Sequence, residues 1–392
     1  MLNFTFSNKT RIHFGEQQIS QVAKEIPLSA KVLITYGGGS IKKNGVYDQV
    51  IDALSEHKVF EFSGIEPNPS YEKSMEAIAL VKQENIDFIL AVGGGSVIDA
   101  SKFIAAGALF NGEPWDILAK GATVEAAVAL GAVLTLPATG SESNGGSVIS
   151  KLSTKDKLPF MSDLVQPLFA VLDPNVMNTL PIRQLSNGVV DAYVHIMEQY
   201  LTYDVNGKIQ DRFAEGLLLT LIEEGPKLFS NETTTNNNTA NKYQVNANVM
   251  YSATLALNGL IGAGVPQDWA THMIGHEITA VYGLDHAQTL AIVLPRMMWE
   301  MRETKEAKLL QYADRIWNIT QGDTQSRIKK AIEKTEAFFH SVQMKTRLSD
   351  YNLGEDVVDV IIEQLARHGM TQLGEKQLVT LEQSRNILLK SV

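Results

Sequence analysis

Twice in this chain an apolar run of strand length closes on Gly-Gly-Gly-Ser and gives way to helical periodicity. KVLITY (31–36) precedes Gly37, Gly38, Gly39 and Ser40, and DFILAV (87–92) precedes Gly93, Gly94, Gly95 and Ser96. Between them come a helical pattern at 44–56, the strand VFEFSG (59–64), the turn-rich Glu66-Pro67-Asn68-Pro69 and a helical pattern at 70–84. A helix to about residue 108 follows the second glycine run, and VLTLP (133–137) and LFAVLDP (168–174) supply further strands. Strands alternating with helices imply a wound parallel sheet. Residues 2–14 read as a short hairpin or edge strand. From Pro181 onward nearly every segment is helical: 181–203, 207–228, 242–260, 267–282, 286–302, 305–318, 325–343, 355–369 and 380–390. The expected organisation is an α/β dinucleotide-binding domain over 1–178 and an all-α domain over 179–392.

The glycine runs have a chemical reading. Glycine lets backbone approach a diphosphate closely, and a helix N-terminus offers unpaired N–H groups and a positive dipole end. Asp99 is expected in the first turn of the helix after Ser96. After the first run there is no acid from Tyr36 to Asn44 to bind ribose hydroxyls. The Ser40 hydroxyl, Lys42 and Lys43 stand there instead, an arrangement that tolerates a 2′-phosphate. TLPATGSESNGG (135–146) is a third small-residue loop after a strand, suited to line a ribose or nicotinamide.

The helical half carries metal-ligand spacing. His272 and His276 are four apart, one turn from each other on a helix face. Gly283 and Asp285 end that helical pattern before His286. A continuous helix would separate His272 and His286 by roughly 21 Å; a turn lets both face one point. Upstream, Asp191 and His195 are again four apart in the apolar run VVDAYVHIM (189–197). Burying an uncompensated carboxylate there costs several kcal/mol, so Asp191 needs a cation. One oxygen and three nitrogens, from Asp191, His195, His272 and His286, suit Fe²⁺ or Zn²⁺ and leave room for a substrate oxygen.

At 392 residues, with 44% hydrophobic and 20% charged residues, the chain is an ordinary soluble protein of two domains. A net charge of −10 argues against nucleic acid and anionic membranes as partners. No cysteine is present, which excludes disulfide and thiolate chemistry and fits a reducing compartment. With no signal-peptide pattern and no bilayer-length apolar run, the expected location is the cytoplasm. The sequon Asn231-Glu232-Thr233 is then accidental, in a polar low-complexity loop from Asn231 to Asn241.

The motif order GGGSxxD, TLPATGSE, D-x-x-x-H and H-x-x-x-H with a further His ten residues on resembles the iron-containing (group III) alcohol dehydrogenase family. YGGGSIKKNG, GIEPNP and QDWATHMIGHE are similar to its NADPH-dependent aldehyde reductase and butanol dehydrogenase subgroup. The resemblance runs from RIHFG (11–15) nearly to the C-terminus. It implies a dehydroquinate synthase-like architecture, a homodimer and an active site in a cleft between the two domains. It places the metal ligands on Asp191, His195, His272 and His286, and His276 beside the nicotinamide. Gly94, Gly95 and Ser96 match its pyrophosphate loop, with Asp99 in the following helix. Thr135 and Thr139 match its nicotinamide-ribose contacts, and Lys157 a lysine near the cofactor. NAD-preferring relatives carry aspartate where this chain has Gly38, which favours NADP(H).

The expected function is metal-dependent, NADP(H)-linked aldehyde reduction to a primary alcohol, with the metal as Lewis acid and a small aldehyde or alcohol as substrate. His276 either relays the proton or positions groups around it. Rivals are a polyol dehydrogenase or carbocycle-forming lyase of related fold, and a non-catalytic metal-binding protein. No Arg/Lys cluster beside the metal motifs supports the lyase, and the complete set of cofactor loops opposes the non-catalytic reading.

Overall fold

The computed structural model describes residues 1–230 and 239–392. Residues 231–238, most of the polar run with its sequon, lie outside the described residues. The chain forms two compact units, Ser7–Pro181 and Met1–Phe6 together with Ile182–Val392.

The first unit contains, in order, β1 (Arg11–Phe14), α1 (Val22–Glu25), β2 (Lys31–Thr35), α2 (Ser40–Lys43), α3 (Val46–Ala53), β3 (Lys58–Phe62), α4 (Tyr71–Glu84) and β4 (Phe88–Gly94). It continues with α5 (Gly95–Leu109), α6 (Asp116–Ala119), β5 (Ala129–Leu136), β6 (Gly146–Lys151), β7 (Asp156–Met161) and β8 (Phe169–Leu172). Six strands form one parallel sheet in the order β1-β8-β5-β4-β2-β3. Successive side chains of a strand point to opposite faces, yet every residue from Val32 to Thr35 and from Phe169 to Leu172 is buried. Both faces of the sheet are therefore covered, which is why these strands read as unbroken apolar runs. The expected edge strand near the start of the chain is β1, paired with β8. Not anticipated was the antiparallel hairpin of β6 and β7, in which Gly146 faces Met161.

The second unit contains α7 (Ile182–Tyr200), α8 (Lys208–Glu224), α9 (Thr239–Ala256), α10 (Ala270–Tyr282), α11 (His286–Glu300), α12 (Glu306–Arg315), α13 (Thr324–Ser341), α14 (Asp356–Arg367) and α15 (Leu381–Leu389). A two-residue ribbon, β9 (Gln372–Leu373) with β10 (Val379–Thr380), interrupts the helices before α15. Ile274 and Ile278 of α10 share a buried cluster with Val293 and Met297 of α11 and with Val358, Ile361 and Leu365 of α14. That cluster fixes the helix on which two of the histidines sit. Residues 1–6, expected with the sheet, belong instead to this unit. The Leu2 amide donates to Gly264 O at 2.9 Å, the Met1 ammonium donates to Val205 O, and Phe4 packs on Gly264. Among the described residues no helix is long and apolar enough to cross a membrane.

Candidate metal centre and cofactor loops

Three imidazoles converge on one carboxylate oxygen. Nε2 of His195, His286 and His272 lie 3.6, 3.7 and 3.9 Å from Asp191 Oδ1. α7 presents Asp191 and His195 from the same face, as their four-residue spacing requires. α10 presents His272 and then ends at Tyr282, with Gly283 in the left-handed conformation at φ 70°. Asp285 caps α11, its side chain taking the Gln288 amide while the Gln288 side chain accepts from the Asp285 N–H. His286 thus opens α11 and turns back toward His272, their ring centroids 5.1 Å apart. α10 and α11 approach closely at Gly275, where a Cβ would stand 2.8 Å from Thr289 Oγ1.

These residues fit a divalent ion. Around a tetrahedral ion with bonds of about 2.0–2.1 Å, donor atoms stand roughly 3.3 Å apart, and the observed spacings are slightly wider. Asp191, His272 and His286 each offer a donor atom within 4.8 Å of the others. Burial is the dominant influence on His195, partly offset by Asp191, and pulls its pKa down to about 4. The imidazole is therefore neutral at pH 7, the form that ligates metals. His195 stacks on His272 at 4.6 Å, and His276 lies 5.0 Å from His286 and 6.1 Å from His272, ring centre to ring centre. Trp269 turns its ring against His195 and His272 at 6.2 and 5.3 Å.

Glu198, not singled out in the sequence, touches a member of this set: its Oε2 bonds His272 Nδ1 and its Oε1 accepts from the Thr271 N–H at 2.6 Å. Burial and the nearby Asp268 push its carboxyl up, while the Thr271 and His272 N–H groups and Lys305 pull it back. Its signal was legible, since Asp191, His195 and Glu198 follow at spacings of four and three on one helix face.

In the α/β unit the two glycine runs differ in use. The first leads through Gly39 into the single turn of α2, the second straight into the fifteen-residue α5. No side chain caps the N-terminus of α5, which leaves its first-turn N–H groups for a ligand. At Gly95 a Cβ would stand 2.5 Å from Thr139 Oγ1, so the glycine is needed to bring this loop against the TLPATGSE loop. Thr135 lies buried at the end of β5, and Thr139 Oγ1 accepts from the Ser141 N–H at 3.1 Å.

Asp99 does not lie in the first turn. It sits one turn further along α5, where Oδ1 accepts from Ser141 Oγ at 2.6 Å and Oδ2 from the Val148 N–H at 2.9 Å. Its carboxylate ties the loop and hairpin together. Lys102, unremarked in the sequence, is fully buried beside it and donates to Ser141 Oγ, Asn144 Oδ1 and Gly146 O. Lys157, on β7, donates to Asn68 Oδ1 at 2.8 Å.

Near the first glycine run, a Cβ at Gly38 would meet nothing within 4 Å. Lys42 is not simply solvated: Nζ lies 4.3 and 5.1 Å from the ring centres of Tyr47 and Tyr36 and 3.5 Å from Glu61. Glu61 comes from the neighbouring strand, where it is the register partner of Ile34. Its oxygens accept from the Tyr36 and Tyr47 hydroxyls, both at 2.7 Å.

Comparison with known proteins agrees with this geometry. The family model described as iron-containing alcohol dehydrogenase matches residues 9–174, and the C-terminal model of the Fe-containing alcohol dehydrogenase family matches 186–392. The chain is 57% identical over 390 residues, 99% of each chain, to the NADPH-dependent aldehyde reductase YqhD of Escherichia coli. It is 41% identical to the probable NADH-dependent butanol dehydrogenase 1 of Bacillus subtilis, over 94% of this chain and 95% of that protein. A crystal structure of E. coli YqhD superposes with a TM-score of 0.96 at 56% identity, covering 100% of this chain and 99% of that one. The NADH-dependent butanol dehydrogenase A of Thermotoga maritima superposes with a TM-score of 0.93 at 36% identity, covering 100% and 99%.

Proposed function

Because the chain belongs to the iron-containing alcohol dehydrogenase family, we propose that it reduces aldehydes to primary alcohols with NADPH at a divalent metal, Fe²⁺ or Zn²⁺. The observation that carries this reading is the convergence of three histidine Nε2 atoms on Asp191 Oδ1. When bound, the metal supplies Lewis acidity to a carbonyl oxygen and the nicotinamide supplies the hydride.

The chain's residues do the rest. Asp191, His195, His272 and His286 would hold the ion, and their single negative charge leaves a net positive charge to attract a carbonyl dipole. Reduction consumes one proton for each hydride. His276, buried 5.0 Å from His286 between ring centres, is the group we assign to supply that proton directly or to hold a water that does. Trp269 packs against His195 and His272. Gly94, Gly95 and Ser96 at the start of α5 would receive the pyrophosphate, Thr135 and Thr139 the nicotinamide ribose, and Gly37 to Ser40 the adenosine end. Lys157 would lie near the cofactor. Asp99 acts behind this surface by holding the Ser141 loop.

The α/β unit is then the cofactor domain and the helical unit the metal-binding, catalytic one. A homodimer is supported by β1, which stands at a sheet edge, with its Arg11 N–H bonded to the carbonyl of the exposed Leu168. Sedimentation in solution tests it. A cytoplasmic location accords with the absence of cysteine.

The deciding experiment is NADPH oxidation over a panel of aldehydes, with protein reconstituted separately with Fe²⁺ and Zn²⁺. Turnover in at least one loaded form is expected. Metal-loaded protein that oxidises no NADPH would return the chain to the non-catalytic reading.

A further inference from the structure

α10 begins without the cap its sequence position calls for. The residue at the cap is Trp269, held in the left-handed conformation at φ 63°, and its side chain accepts no hydrogen bond from the helix. The first-turn N–H groups must be satisfied from elsewhere. Asp268 Oδ1 takes the Ala270 N–H at 2.8 Å, and Glu198, reaching across from α7, takes the Thr271 N–H on Oε1. The second Glu198 oxygen goes to His272 Nδ1. The same carboxylate thus fixes the start of the helix and the ring of the third residue in it.

Glu198 is itself fixed. Its carbonyl accepts from the Asp268 N–H at 2.9 Å. Asp268 Oδ2 accepts from Lys305 Nζ at 2.6 Å, and Lys305 also donates to Leu201 O at 2.6 Å and to Glu375 Oε2 at 2.9 Å. Glu198 is 3% exposed, with no solvent to let it swing away.

We propose that Glu198 is a positioning residue that holds His272 with its proton on Nδ1, so that the Nε2 lone pair faces Asp191 and the metal. This rests on the reading of Asp191, His195, His272 and His286 as the metal site. An imidazole presents one donor and one acceptor nitrogen when neutral, and a partner that accepts at Nδ1 leaves Nε2 as the acceptor. Nε2 is the His272 atom that lies 3.9 Å from Asp191 Oδ1. His272 is thereby oriented by the helix that also carries two of its fellow ligands.

The test is zinc affinity, measured by chelator competition, together with histidine ¹⁵N–¹H spectra of the zinc-loaded parent protein. Glu198→Gln should lower zinc affinity by about 10- to 100-fold. The parent spectrum should place the His272 proton on Nδ1. A folded Glu198→Gln protein whose affinity stays within about threefold of the parent overturns the inference. So does a His272 proton on Nε2 in the parent, a measurement that decides the matter even if the variant fails to fold. A parent protein that takes up no zinc or iron at all would instead overturn the metal-site reading, and this inference with it.

Discussion

Arg183 grips Asp285 with two parallel hydrogen bonds, Nε to Oδ2 and Nη2 to Oδ1, each 2.5 Å long. Asn187 adds a third at 2.8 Å. Asp285 caps α11 one residue before His286, so the N-terminal end of α7 is tied to the start of α11. The ion pair and the cap make separable contributions. Arg183 has 65% of its side chain exposed, and a pair of this kind contributes about 1 kcal/mol or less. Asp285→Ala also removes the cap, for about 0.5–2 kcal/mol more. Denaturant unfolding of metal-free protein should rank Asp285→Ala well below Arg183→Ala, and equal losses would contradict the capping role.

His272→Ala and His286→Ala should each lose bound metal and nearly all turnover, measured by elemental analysis and NADPH oxidation. His276→Ala should keep one metal per chain while losing rate or shifting its pH–rate profile. His57→Ala should do neither, since that ring lies in the other unit, where it bonds Ile26 O at 3.1 Å. Full metal occupancy in His286→Ala would remove that residue from the site.

Gly38→Asp should weaken NADPH and move preference toward NADH. A carboxylate there repels a 2′-phosphate, by about 1.4 kcal/mol at a partly solvated position, or roughly tenfold. The space around Gly38 is open to a side chain, so Gly38→Asn should be accommodated and serve as the uncharged control. Equal NADPH/NADH ratios for the two variants would end the charge argument.

Lys102 makes a pH-dependent contribution. Burial pulls its pKa down to about 8, against the opposing pull of Asp99 and Glu142, whereas an unfolded lysine titrates near about 10.4. Between those values the unfolded chain carries a proton that the folded chain lacks, so this group makes stability rise with pH across that window. The full rise is at most about 3 kcal/mol. Denaturation midpoints at pH 7.5 and 10, compared with those of Lys102→Met, should show the parent gaining on the variant as pH rises. A difference that stays flat with pH would contradict this.

The sequence revealed what depends on spacing within one element. Asp191 with His195, and the turn between His272 and His286, are visible because helix periodicity places them. Glu61 is invisible as the partner of Tyr36 and Lys42 because its proximity comes from sheet register, Ile34 opposite Glu61, which no local pattern encodes. Lys102 looked like one more helix residue, since its burial depends on the β6–β7 hairpin folding over α5. That hairpin escaped notice because Gly145, Gly146 and Ser147 blur its apolar alternation. Asp99 stands one turn beyond its expected place because the helix begins at Gly95, and the extra residues send its carboxylate to Ser141 and Val148.

Residues 1–6 have a consequence for biosynthesis. They are translated before every group they dock on: Val205 and Gly264 emerge only after the whole of residues 7–181 has been made. Until then the Met1 ammonium and the Leu2 N–H lack their carbonyl partners, and Leu2, Phe4 and Phe6, which stay half exposed even in the finished fold, have nothing to pack on. A translation product that stops short of Gly264 never offers this segment its backbone partner, so the first residues made are among the last to reach their native contacts.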